Sequence, residues 1–130
     1  MKIVDVAVGV IKRQDMIYVS KRADTLHQGG LWEFPGGKKE ADETIAQALI
    51  RELFEEVNIQ VLNPIPLMVI EHDYGDKKVR LDVMLVEEFS GEPSSQENQL
   101  SRWVKIADLA QYDFPAANLS IIEKLQQLAS

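Results

Sequence analysis

The stretch that most constrains this chain is Ile45–Val57, IAQALIRELFEEV, because its apolar and acidic residues separate onto two faces of one helix. Glu52, Glu55 and Glu56 stand at i, i+3 and i+4, spacings that share a helix face. With Glu52 at zero on a wheel, Glu55 falls at about −60° and Glu56 at about +40°. Ala46, Leu49, Ile50, Leu53, Phe54 and Val57 fill roughly 60° to 200° on the same wheel. Such a helix must bury one side and leave three carboxylates on the other. Thr44 and Gln47 form a T-x-x-Q capping box that starts the helix at Ile45, and Asn58 is placed to close it.

Like charges at i,i+4 cost a helix a few tenths of a kcal/mol, so three on one face call for a counter-charge. Arg51 lies at i+4 from Glu55 and offsets part of the repulsion. A hard divalent cation with oxygen ligands, Mg²⁺ or Mn²⁺, would offset more. A plain solvated acidic face is the alternative for the helix taken alone.

The residues upstream extend the pattern: Gly37, five residues, Glu43, seven residues, then Arg51-Glu52-Leu53-x-Glu55-Glu56-x-x-Ile59. This resembles the Nudix box, G-x5-E-x7-R-E-U-x-E-E-x-G-U with U apolar. One position departs, Asn58 standing where that pattern has glycine. Asparagine is the residue that next best tolerates a left-handed helix end, so the change is mild.

Beyond the box the chain is similar to the MutT branch of the Nudix hydrolases. The similarity lies in VAVGVI, KRA, WEFPGGK, LVEEFSGEP and DFPAAN near the end.

Composition limits the alternatives. At 130 residues the chain is expected to be one domain, residues 1–130, with 45% hydrophobic and 27% charged residues. A net charge of −7 argues against nucleic acid or an anionic membrane as partner. A phosphorylated small molecule arriving with its own metal remains compatible. No cysteine is present, which removes disulfides and thiolate chemistry. With no signal-peptide pattern and no apolar run of spanning length, a cytoplasmic setting is expected. A monomer is expected too, since no long apolar stripe is left unused.

Read in order, residues 3–11 form a buried strand and 16–21 its hairpin partner, ending in the cations Lys21 and Arg22. A loop with His27, expected at the surface, leads to the Pro35-Gly36-Gly37 turn signal. After the helix, residues 61–72 read as a strand whose Pro64 and Pro66 suggest an edge or a bulge. Residues 79–89 read as its hairpin partner. Asp82 within that apolar run either lies exposed on an edge or, less simply, points into a cleft. Residues 90–101 read as a polar loop, 102–106 as a short strand and 107–110 as a helical turn. A last helix shows Ile121, Ile122, Leu125 and Leu128 on one face. The residues alone give a mixed α and β protein. The resemblance implies an α/β/α sandwich, with a mixed β-sheet between helices.

It also implies roles. Metal ions would be held by Gly36 through its carbonyl and by Glu52, Glu55 and Glu56. Glu97 would be a further ligand or the general base, a role left divided between helix and loop. Arg51 would orient the glutamates. Arg22, Phe34, Lys77 and Asn118 would contact the nucleotide, with the Asn118 amide reading a purine edge through one donor and one acceptor. Lys77 stands where that branch tends to have arginine. The expected reaction is Mg²⁺-dependent hydrolysis of oxidised nucleoside triphosphates, notably 8-oxo-dGTP, to the monophosphate and pyrophosphate. The alternatives are a Nudix enzyme for ADP-ribose or a dinucleoside polyphosphate, and a non-catalytic nucleotide-binding module.

Overall fold

The computed structural model describes residues 2–22, 30–95 and 99–129. Its spine is strand β1, Lys2–Arg13, whose alternating VDVAVGVI sends Ala7 and Ile11 to one face and Val8 and Val10 to the other. Strand β7, Lys77–Val86, runs parallel beside it from Lys2↔Lys77 to Ile11↔Val86. On the other flank β1 is shared. Its middle pairs antiparallel with β4, Gly36–Lys38, and its far end with β2, Met16–Lys21. Strand β2 carries β3, Trp32–Glu33, and β9, Ser101–Lys105. Beyond β7 lies β6, Ile65–Asp73, at the sheet edge. Among the described residues this is one mixed seven-stranded sheet.

Helix α1, Ile45–Val57, covers one face, and helix α2, Leu119–Ala129, covers the other. Leu49 and Leu53 of α1 pack with Ala7, Ile11, Tyr18 and Met84 of the sheet. Ile121 and Leu125 of α2 pack with Val8, Val10, Val19 and Val83 of the sheet. The result is the expected α/β/α sandwich. α1 sits tightly on β1: a Cβ at Gly9 would lie 2.8 Å from the Leu53 Cδ1 atom. Burying Leu53 completely is worth about 1.5–3 kcal/mol, which anchors the helix by its apolar side.

Several sequence expectations need correction. Residues 61–72 are two strands, since β5, Gln60–Leu62, leaves the main sheet and pairs with β8, Glu88–Ser90. Asn63, at φ 47°, and Pro64 separate β5 from β6. The run 79–89 is likewise divided between β7 and β8. The prolines are placed as expected, because β6 is an edge strand with an irregularity between Pro66 and Met68. Residues 32–38, where only the Pro35-Gly36-Gly37 turn was expected, supply β3 and β4. Phe54 and Leu128, assigned to apolar faces, are 56% and 60% exposed, at the margins of their helices' packing. Asp82 sits on the interior strand β7, not on an edge, beside a cavity walled by Ile45, Pro66 and Val69. Burial first, and Asp5 second, raise its pKa against the opposing pull of Arg80. Among the described residues, no helix is long and apolar enough to cross a membrane.

Candidate active site

The carboxylate face of α1 is set by both ends of the helix. The Thr44 hydroxyl accepts from the Gln47 N–H at 3.1 Å, and the Gln47 side chain accepts from the Thr44 N–H at 2.8 Å. Asn58 ends the helix in the left-handed region, at φ 62° and ψ 37°, with its N–H on the Leu53 carbonyl. Between these caps, burial of Ala48, Leu49, Leu53 and Val57 leaves the acidic side turned outward.

Arg51 organises that side. Its Nε and Nη2 donate to the two oxygens of Glu43 at 2.7 and 2.9 Å, a bidentate fork. Its Nη1 donates to Glu52 Oε1 at 2.8 Å and lies 3.6 Å from Glu55 Oε1. Nη2 also reaches the Lys38 carbonyl at 3.2 Å, tying the helix to the end of β4. The Glu43 carboxylate is lowered to about 2, first by the Arg51 hydrogen bonds and then by the Glu40 N–H. Arg51 is raised in turn by Glu43 and Glu52. One guanidinium therefore spans three carboxylates and keeps the closest of them ionised.

The paired glycines meet the same face. A Cβ at Gly37 would overlap the Glu52 carboxylate, so only glycine lets Glu52 lie against β4. The Gly36 N–H donates to Glu56 Oε2 at 3.2 Å. Glu55, with its side chain 57% exposed, is the most open of the three.

These donors are all oxygens and their charge is concentrated, which suits a hard divalent cation rather than a soft one. Among the described residues, no three His, Asp or Glu side chains converge closely enough to hold an ion in this arrangement. Glu52 is turned to Arg51 and Glu56 to the Gly36 N–H, so the donor set fits in chemistry and placement while its side chains make other bonds.

On the opposite face of the sheet lies a cavity of about 270 Å³. Val6, Val8 and Leu81 form its floor, and Arg22, Phe34 and Asn118 stand in its walls. Phe34 stacks on Phe114 at 5.1 Å between centroids, and the Asp113 carbonyl accepts the Trp32 N–H at 2.8 Å. The DFPAAN segment is thereby fastened to β3, and its 3₁₀ turn Ala116–Asn118 presents Asn118 just before α2. Arg22 reaches Glu33 at 3.3 Å. Val6 and Val8 pair with Lys38 and Gly36, so β4 borders both the cavity and the carboxylate face.

The structure thus gathers Arg51, Glu52, Glu55, Glu56 and Gly36 at one place and Arg22, Phe34 and Asn118 at another nearby. Lys77 is not among the cavity walls; it is exposed at the start of β7, where the hairpin turns. Glu97 and His27 lie outside the described residues. Sequence reasoning missed Glu43 as the second anchor of Arg51, although the fixed eight-residue separation was visible. It also missed Trp32 and Tyr74 as cavity walls. For Trp32 the signal was present, because i and i+2 in W-E-F share a face with Phe34.

A sandwich with an arginine-braced carboxylate helix on one face of its sheet and a cavity on the other has the layout of a hydrolase of the Nudix class. The chain belongs to the NUDIX domain family, which matches residues 6–124, and within it the chain is a MutT-like Nudix hydrolase. It is 39% identical to the 8-oxo-dGTP diphosphatase of Escherichia coli, over 98% of this chain and all of that one. It is 31% identical to the Escherichia coli CTP pyrophosphohydrolase, over 98% and 95%. A solved MutT structure, from work on Aliivibrio salmonicida and Vibrio cholerae, superposes with a TM-score of 0.85 at 41% identity. That match covers 95% of this chain and 97% of the other. Nudix hydrolases generally use divalent metal ions.

Proposed function

We propose that this protein hydrolyses 8-oxo-dGTP with Mg²⁺ to 8-oxo-dGMP and pyrophosphate, removing an oxidised nucleotide before it enters DNA. The observation that carries the reading is the position of β4, which borders the Arg51-braced carboxylates on one side and the Arg22, Phe34 and Asn118 cavity on the other. The base enters the cavity, and the triphosphate of the nucleotide extends over the Gly36-Gly37 backbone toward α1. Asn118 reads the purine edge, since its amide offers a donor and an acceptor to the O6 and N7–H of an 8-oxopurine. Arg22 contacts the nucleotide, and Phe34 supplies an apolar wall.

Glu52, Glu55, Glu56, the Gly36 carbonyl and Glu97 would hold the ion. When bound, a divalent cation neutralises diphosphate charge and acidifies a bound water. A glutamate of this set takes the proton of the attacking water, and the α–β anhydride bond breaks to release pyrophosphate. Arg51, itself held by Glu43, keeps Glu52 oriented and ionised.

The test is hydrolysis with Mg²⁺ of 8-oxo-dGTP, dGTP, CTP, ADP-ribose and a diadenosine polyphosphate, read by chromatographic separation of the products: monophosphate and pyrophosphate from a triphosphate, two sugar phosphates from ADP-ribose, two adenine nucleotides from the dinucleotide. A kcat/KM for 8-oxo-dGTP far above the others is expected. Preference for CTP would align the chain with its CTP-hydrolysing relative, and turnover of ADP-ribose alone would remove the triphosphate reading. Binding of nucleotide without turnover of any of them would make the chain a binding module.

A further inference from the structure

Opposite Phe34, the cavity is walled by a ring that the family motifs do not mark. Tyr74 lines the cavity from the β6–β7 hairpin and remains 48% exposed. Phe34 approaches from the β3–β4 side of β1, whereas Tyr74 approaches from beyond β7, so the two rings flank the Val6–Leu81 floor. The hairpin holds Tyr74 in place from both sides. Its N–H donates to the Lys77 carbonyl at 2.9 Å, and the Gly75 N–H donates to Asp73 Oδ1 at 2.8 Å, with Gly75 at φ 95°. His72 shares a strand face with Leu81, through the Ile70↔Leu81 register, and its ring backs that of Tyr74 at 4.4 Å.

We infer that Tyr74, supported by His72, is a specificity-determining wall against which the nucleobase stacks, so that the hairpin selects by ring size. This rests on the reading of the cavity as the base site. It moves the hairpin's contribution from the Lys77 side chain, which the cavity walls do not include, to Tyr74. A purine offers this wall more overlap than a pyrimidine, so Tyr74 favours purines.

The experiment is calorimetric binding of 8-oxo-dGMP and of CMP to the full chain, together with kcat/KM for the matching triphosphates. The variants are Tyr74→Phe, Tyr74→Ala, His72→Ala and Phe34→Ala. Loss of a base–aromatic stack corresponds to about 5- to 150-fold weaker binding. Tyr74→Ala is expected to weaken 8-oxo-dGMP within that range and CMP much less, while Tyr74→Phe stays close to the parent. His72→Ala falls between the two. Equal binding by Tyr74→Ala and the parent, with Phe34→Ala impaired, would overturn the inference and leave the cavity as the base site. No effect of either alanine variant would remove the base-site reading itself. Equal losses for both ligands would make Tyr74 a structural residue without selectivity.

Discussion

Gly37 and Glu43 show how much of this site is decided by single contacts. At Gly37 a methyl group would occupy the space of the Glu52 carboxylate, and the Arg51 Nη1 bond at 2.8 Å would be lost as Glu52 moved. Misplacing a catalytic group by about 1 Å costs on the order of 100-fold. Gly37→Ala should therefore lower kcat/KM by about that factor while the urea midpoint changes little; a variant with full activity would show that Glu52 need not lie against β4. Glu43 supports a prediction in pH. Its folded pKa is about 2, below the ordinary carboxylate value of about 4.3. A depressed carboxylate stabilises the fold above its unfolded pKa, and that contribution disappears as pH falls through the folded value. The advantage of the parent over Glu43→Gln in melting temperature should be constant above about pH 5 and shrink between about pH 4.3 and 2. A gap that does not change over that window would remove the Arg51 fork as a source of stability. The box spacing made these residues visible in the sequence. Their contacts were not visible, because Gly37 and Glu52 meet only when β4 is laid on β1.

At the level of elements, the difference between what could and could not be read follows the range of the interactions. α1 was legible to the residue because its signals are local: the Thr44–Gln47 box, the 3.6-residue apolar period and Asn58. The division of 61–72 into β5 and β6 was not legible, since it depends on β8 arriving from residues 88–90 to take β5 as a partner. Residues 32–38 became strands for the same reason, recruited by β2 and β1. Local signals also carry a testable energy. Asn58 holds φ 62°, a conformation that costs most L-residues about 1–2 kcal/mol. Asn58→Ala should destabilise by about 1 kcal/mol in urea denaturation, and Asn58→Gly, which restores the residue of the family pattern, should match or exceed the parent. A neutral alanine variant would mean that the Leu53 carbonyl bond, not the residue's conformational tolerance, governs the helix end.

The whole molecule carries a net charge of −7, and part of that excess is concentrated where α1 faces β4. Folding brings Glu52, Glu55 and Glu56 together, and Arg51 offsets only a share of their repulsion. A ligand that binds the folded state alone stabilises it by about 2.7 kcal/mol at one hundred times its Kd. For a chain of this size that is a rise in Tm of roughly 10 °C. Titration with Mg²⁺ should thus raise Tm in a saturable way, without any nucleotide present. Glu55→Gln combined with Glu56→Gln should begin with an equal or higher Tm, since like charges have been removed, and then fail to respond. KCl at matched ionic strength separates site binding from general screening of an acidic surface. A rise in KCl equal to that in Mg²⁺, or one that persists in the double variant, would place the relief over the whole surface and leave the carboxylate face without a cation of its own.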